Sequence, residues 1–166
     1  AINSSTDIQI VKKTDKSGID IHVKPNTQNK SMHLPVIITD GGISDKVYND
    51  FYVGENADVL IVAGCGIHNT SNQQSEHNGI HTFHLGKNSK VRYVERHLGL
   101  GETTSGKILN PETKIIMEEG SQLTMETAQL GGVTYSDRRT VAKLKANAKL
   151  LIKENIMTRE DKRKID

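Results

Sequence analysis

Asn56-Ala57-Asp58-Val59-Leu60, Asn88-Ser89-Lys90-Val91-Arg92, Gly120-Ser121-Gln122-Leu123-Thr124 and Asn147-Ala148-Lys149-Leu150-Leu151 repeat one phrase. The copies begin 32, 32 and 27 residues apart. Each has a turn residue, a small residue, a polar residue and then an aliphatic residue that opens an apolar run. A recurrence at this period is the mark of stacked repeats, each too small to bury its own apolar face.

The phrase reads as a strand entered from a corner. Asn and Gly tolerate the left-handed backbone conformation that a sharp corner needs. Ala or Ser beside it leaves room for the corners above and below. The residues that follow alternate as strands do: Val59, Ile61, Ala63; Val91, Tyr93; Leu123, Met125; Leu150, Ile152. The runs are short, β-branched and bounded by Gly or Asn, which argues against helices. A sandwich of regular hairpins is the plainer alternative, but no tight two-residue hairpin signal recurs between the runs.

Working outward, Ile8 and Ile10, then Ile19, Ile21 and Val23, alternate with polar residues as two short strands split by the turn Asp15-Lys16-Ser17-Gly18, and 25–30 is a loop. Pro35 inside the apolar run 33–39 makes that segment an edge strand or a strand start. Residues 47–53 read as a strand with Tyr48 and Tyr52 on one face and Phe51 on the other. Residues 69–75 hold no apolar side chain and lie outside the core. The expected architecture is all-β: a flattened parallel β-helix of two facing sheets with about 32 residues per turn. One sheet takes residues 59–66, 91–98, 123–129 and 150–156; the other takes 79–85, parts of 108–118, and 140–144. The chain 1–166 reads as a single domain with frayed tails at 1–6 and 158–166, and as a piece of a longer solenoid. Open strand edges at its ends favour self-association.

Composition agrees with that picture. Hydrophobic residues make up 34% and aromatic residues 4%, with no Trp, so stacked Val, Ile and Leu are expected to fill a narrow interior. A formal charge of +2 gives no nucleic-acid footprint, and the basic residues of 159–164 alternate with Glu160 and Asp161 as in a solvated tail. The single cysteine, Cys65, excludes an intrachain disulfide and fits a reducing cytosol. No apolar run approaches the roughly 20 residues of a membrane span.

Candidate chemistry gathers near the end of the first clear repeat. Cys65, His68, His77 and His81 have the spacing C-x2-H-x8-H-x3-H. Thiolate and imidazole suit zinc or iron. His77 and His81 share a strand face because their separation is even. A period of 32 also stacks Cys65 on His97 and His97 on Gln129, on adjacent strands about 4.8 Å apart. The column shares the parity of Val59, Val91 and Leu123, and it is the best place here for a soft metal. The plainer reading makes Cys65 a small core residue and puts the histidines on a solvated face. Glu76, Glu95, Glu126 and His84 read as outward and solvated. There is no Ser-His-Asp order, and Gly99, Gly101 and Gly106 lack the Lys-Ser/Thr ending of a phosphate loop, so no enzymatic site is expected. A carbohydrate-active β-helix would need clustered Asp or Glu on one sheet face.

Several motifs resemble the SufB/SufD family. They are Ala63-Gly64-Cys65-Gly66-Ile67-His68-Asn69, Glu76-His77-Asn78-Gly79-Ile80-His81-Thr82-Phe83, Gly86-Lys87-Asn88-Ser89-Lys90-Val91 with Tyr93-Val94-Glu95, and Met125-Glu126-Thr127-Ala128-Gln129-Leu130-Gly131-Gly132. The likeness runs from about residue 47 to 157 and is nearest to the short members. It implies a right-handed parallel β-helix and a cytoplasmic role in iron–sulfur cluster assembly. It also implies an ABC-type ATPase partner, SufC, and a SufB/SufD-like paralogue or a second copy. Members are often mislabelled as ABC transporter permeases, although they lack a membrane span. The family usually continues for several rungs into a helical segment that docks SufC, and neither is in this sequence. The cysteine and histidine implicated in cluster assembly in long SufB proteins lie in that later region, so they have no counterpart here. The expected cofactor is an iron–sulfur cluster or an iron or zinc ion, with Cys65, His97, His68, His77 and His81 as candidate ligands. The alternative is a β-helical metal-binding or carbohydrate-active protein outside that pathway.

Overall fold

A computed structural model describes residues 5–38, 44–68, 75–100, 107–109, 112–130, 135–157 and 162–165. The described strands are β1 (Ile8–Lys12), β2 (Gly18–Val23), β3 (Lys30–Ile38), β4 (Ser44–Val53), β5 (Asp58–His68), β6 (Ser75–Leu85) and β7 (Lys90–Leu100). They continue as β8 (Lys107–Leu109), β9 (Glu112–Met117), β10 (Gln122–Leu130), β11 (Tyr135–Leu144), β12 (Lys149–Met157) and β13 (Lys162–Ile165). Among the described residues there is no helix.

From β2 onward the chain alternates between two sheets, with β8 and β9 together making one passage through the first. One runs β1-β2-β4-β6-β8-β11-β13, with β9 also between β6 and β11; the other runs β12-β10-β7-β5-β3. All pairings are parallel except the hairpin β1–β2. This is a parallel β-helix-like arrangement. Every strand assigned to either sheet from sequence lies in that sheet, and Pro35 does sit on an edge strand, β3. The repeat also starts earlier than the sequence phrase suggests, because β2, β3 and β4 form rungs of the same two sheets.

The corners explain the phrase. Asn56, Asn88 and Asn147 have φ of 59°, 57° and 57°, and Gly120 has 70°. Asn26, inside the segment read as a loop, has φ 64° and is a fifth corner. Each corner is a four-residue turn with the positive φ at its third position. The closing bonds run from Thr27 N to Lys24 O, Ala57 N to Gly54 O, Ser89 N to Gly86 O, Ser121 N to Glu118 O and Ala148 N to Lys145 O. The small residue has a second task where it carries a hydroxyl. Thr27, Ser89 and Ser121 each donate that O–H to the same carbonyl, at 2.8, 2.7 and 2.7 Å. Corner also bonds to corner: Asn26 N to Glu55 O, Asn56 N to Lys87 O, Asn88 N to Glu119 O and Gly120 N to Ala146 O. The N–H groups of Asn26, Thr27, Asn56, Ala57, Asn88, Ser89, Gly120, Ser121 and Ala148 are thus satisfied within the protein.

Inside, equivalent residues stack in columns. Ile21, Phe51, Phe83 and Ile115 are successive Cα partners in the first sheet. Val59, Val91 and Leu123 are successive partners in the second, as are Met32, Ile61, Tyr93 and Met125. All are buried. The interior is not purely aliphatic, as composition suggested. Both phenylalanines are fully buried and stacked at 4.6 Å, with the Tyr93 ring edge-on to Phe83 at 4.8 Å from the facing sheet. Few rings suffice because stacking concentrates them in one place, each pair adding about 1 kcal/mol beyond its buried area.

At the other end the columns run out. Leu144 is in register with the buried Met117, and Ile152 with Met125, yet they are 45% and 41% exposed. Strand β13, within the segment assigned to the tail, pairs with β11 only across 135–138. Its charged residues 162–164 do not prevent this, because parallel pairing uses backbone groups.

If the corner conformation drives the fold, Asn88→Ala should destabilise the chain by about 1 kcal/mol, the cost of left-handed backbone for a residue with a Cβ and no local hydrogen bond. Asn88→Gly should be close to neutral. Urea unfolding of both variants checks this, and equal midpoints for Ala and Gly would exclude it.

Candidate functional site: a polar end to the interior

Along each strand the inward positions change character with distance from the corner. In the first sheet the column next to Phe51 and Phe83 is Asn49, His81 and Thr113. In the second, the column next to Tyr93 is Ala63, Glu95 and Thr127. Asn49, His81, Glu95, Thr127 and Arg138 are all buried. Alternation alone fixes this placement: Glu95 is two residues from Tyr93 and His81 two from Phe83, so they share those residues' faces.

The buried charges meet at Glu95. Tyr93 donates its O–H to Glu95 Oε1 at 2.9 Å. His81 Nε2 approaches the same oxygen at 3.4 Å from the opposite sheet. Arg138 places Nη2 4.0 Å from Glu95 Oε2 and Nε 3.7 Å from Glu154 Oε1. The His81 ring lies tilted against Phe51 and Tyr93, so the cluster adjoins the aromatic part of the core. A buried carboxylate without partners is costly; here a phenol, an imidazole and a guanidinium offset that cost. Arg138 Nη1 is buried with no hydrogen-bond partner among the described residues.

The predicted i to i+32 column holds in the backbone. Cys65 is the Cα partner of His97, and His97 of Gln129, on adjacent strands. They stand two residues beyond Ala63, Glu95 and Thr127, about 7 Å along the strands. His77 and His81 are both on β6, His77 in register with Leu109 and His81 with Thr113. His68 ends β5 beside Leu100, three residues past Cys65 and so of opposite parity. The side chains of Cys65, His68, His77 and His97 lie outside the described residues, as does that of Glu76. Of the five proposed ligands, His81 is the one whose surroundings are described.

Two expectations need revision. Glu95 is 5% exposed, not solvated, because its parity follows Tyr93. Arg138 was missed because the return strand was expected to begin near Val141, whereas β11 begins at Tyr135. The solvated reading does hold for Glu126. It takes two hydrogen bonds from Arg92, at 3.2 and 3.1 Å, which hold its carboxyl below the usual range.

A second polar feature lies on the outer face of the first sheet. His22, Tyr52 and His84 are in register and stack at 4.8 and 4.6 Å, flooring a groove of about 470 Å³ bordered by Pro25 and Ile116. Beside them Lys13 Nζ bridges Asp20 at 2.5 Å and Asp50 at 2.7 Å. Burial pulls the Lys13 ammonium down, but its bonds to the two carboxylates outweigh that and hold its pKa above the ordinary range. Burial, then the charges of Asp50 and Asp20, push the Tyr52 phenol up. Both faces of the Tyr52 ring are covered, one by His22 and one by His84. Asp50 also lies 3.6 Å from His84 Nε2, at the edge of the ring stack.

Whether the interior suits a metal turns on its donors. Among the described residues no group of three or more His, Cys, Asp or Glu is placed to hold an ion. What is present is an imidazole backed by a buried carboxylate, the usual support of a ligating histidine. The unpartnered Arg138 N–H also suits an acceptor such as a sulfide or water. Among the described residues the cluster offers one nitrogen donor, that of His81, and no set of ligands that would hold a metal.

The fold and this site define the class: a parallel β-helix-like protein whose interior is apolar at the corners and charged beyond them. No family model, curated protein or solved structure matches the chain. No described helix is long and apolar enough to cross a membrane.

Arg138→Met should destabilise the chain by about 3 kcal/mol, because it leaves the buried Glu95 without its guanidinium partner. The companion Glu95→Gln, Arg138→Met should recover part of that loss. Urea denaturation of wild type, single and double variants measures it; simple additivity would show that the two residues do not interact.

Proposed function

We propose that this chain is a SufB/SufD-like scaffold component of iron–sulfur cluster assembly in the cytoplasm, working with an ABC-type ATPase. The cluster is its cargo, and ATP hydrolysis belongs to the partner. The observation that carries the reading is the backbone register. It sets Cys65 beside His97 on adjacent strands, two residues beyond the buried Glu95 that contacts His81. Thiolate and imidazole are ligands of iron and zinc. The family-like motifs supply the corner Asn88, the core residues Phe83, Tyr93 and Met125, and the polar His81, Glu95 and Thr127. Fold and polar interior are thus encoded by the same stretches that carry the resemblance.

The last rung gives the scaffold a place to pair with a paralogue or a second copy. Val141 and Leu144 on β11 and Leu151 and Ile152 on β12, consecutive strands of the two different sheets, are 54%, 45%, 51% and 41% exposed. Unpaired strand edges and unfilled core columns favour another β-rung.

Affinity purification of the full-length protein from its own cells, under gentle conditions, should bring down an ABC-type ATPase. Its absence removes the assembly reading and leaves a metal-binding protein outside that pathway. Sedimentation of the isolated chain should show dimers or larger species that Ile152→Glu shifts toward monomer. A strict monomer at high concentration would rule out pairing through this rung.

A further inference from the structure

We infer that β1 is a guard strand: it keeps the first rung of this chain from seating on the last rung of a second copy, and so blocks a head-to-tail polymer. The inference rests on the pairing reading above only in treating the last rung as a receptive surface.

The two ends of the helix are complementary. Ile21 and Val23 on β2 open two inward columns, one through Phe51, Phe83 and Ile115 and one through Val53, Leu85 and Met117. On β11 these columns end at Ala142 and Leu144, and Leu144 is 45% exposed. The six positions Gly18–Val23 of β2 recur through the sheet as 48–53, 80–85, 112–117 and 139–144. Strand β13 bonds to β11 only over 135–138, which leaves 139–144 without a neighbour on that side among the described residues. The stretch left free is the one that β2 is built to match. The second sheet agrees: Met32 on β3 opens the column of Ile61, Tyr93 and Met125, which ends at the exposed Ile152 on the edge strand β12. A second copy stacked there would set Ile21 on Ala142, Val23 on Leu144 and Met32 on Ile152. Such a contact uses different surfaces of the two copies, so it does not close and it propagates.

β1 obstructs this in two ways. Running antiparallel, it lays Ile8 against Val23 and Ile10 against Ile21, so the columns end on isoleucines of the same chain. Ile8 is buried and Ile10 packs against the core. β1 also makes the first sheet one strand taller than the second, whose edge at this end is β3. That step is about 4.8 Å, so an incoming rung cannot meet both sheets at once. The edge of β3 carries Pro35, which has no N–H to offer a partner strand. The guard is fastened beyond its own hairpin. Lys13, one residue past β1, bridges Asp20 on β2 and Asp50 on β4, and the Lys24 N–H donates to Asp7 O at 2.9 Å.

Light scattering and negative-stain electron microscopy of the full chain test the inference. Wild type should give no polymer. Ile8→Ser with Ile10→Ser removes the apolar seat of β1 and should give unbranched polymers of about ten or more copies. Adding Leu144→Glu, which puts a carboxylate in the receiving column, should abolish them. Wild type added at about one part in ten should shorten the polymers, because it can receive a first rung but cannot offer one. If the double serine variant does not fold, Lys13→Ala decides the matter. It touches no core residue, loosens the clamp on β1, and should give polymer at concentrations where wild type gives none. A natively folded double serine variant that stays the size of wild type overturns the inference. So does polymer that is indifferent to Leu144→Glu or to added wild type, a Lys13→Ala chain without polymer when it is the deciding variant, or a wild type that itself polymerises. Dimerisation of wild type is a separate readout. Variant polymers beside a monomeric wild type leave the guard standing and remove the pairing of last rungs, and a dimeric wild type whose folded variant makes no polymer does the opposite.

Discussion

Strict vertical register is the constraint on which the rest of this molecule depends. Each strand bonds to its equivalent one turn away, so every residue sits beside its own counterpart. The corners enforce this. An Asn or Gly held at positive φ turns the chain at one defined point, and its N–H bonds to the corner of the neighbouring turn. A slip of one residue would send every inward side chain to the surface. The five corners therefore specify the interior as firmly as the apolar residues do.

Given that register, like stacks on like, and the consequences divide by chemistry. For apolar groups stacking is favourable, as in the paired rings of Phe51 and Phe83. For charged groups it would be ruinous, since a column of carboxylates repels itself. The interior avoids this by changing residue type from rung to rung. Ala63, Glu95, Thr127 and Glu154 share a column in which Thr127 keeps the two carboxylates from being direct neighbours. The charge of Glu95 is met from elsewhere, by His81 across the interior and by Arg138 on a later turn of the first sheet. The outer ladder solves the same problem differently. Asp20 and Asp50 are direct neighbours in register, and Lys13 lies between their carboxylates.

Much of the fold was legible because its signals are local and periodic. Asn56, Asn88, Gly120 and Asn147 declare the corners, and the alternation after each declares the strand. Asn26 escaped because the residues after it, Thr27-Gln28-Asn29-Lys30, lack the aliphatic residue that opens the other runs. The corner was there, but the strand began with Lys30. The column Cys65–His97–Gln129 followed from the period alone. Glu95 and Arg138 did not, for different reasons. Parity with Tyr93 did place Glu95 inward, but a lone acidic residue on a strand is ordinarily solvated. Its burial depends on His81 from another sheet and Arg138 from a later rung, and no local pattern contains that. Arg138 was hidden further by the charged run 137–139, which disguises the start of β11.

The same logic locates where chemistry can reside in such a structure. Near the corners the inward positions are held by close-packed Val, Leu and Met, and the buried hydroxyls of Thr27, Ser89 and Ser121 are used up on corner carbonyls. Function requires an interruption of that packing, and it must fall where both sheets interrupt together. His81 and Glu95 are that coincidence. They sit on different sheets but one step beyond the same aromatic cluster, at the same distance from their corners: Glu95 lies seven residues after Asn88, and His81 seven before it. One corner residue thus sets the reach of both side chains. The spacing that builds the fold also brings the imidazole to the carboxylate.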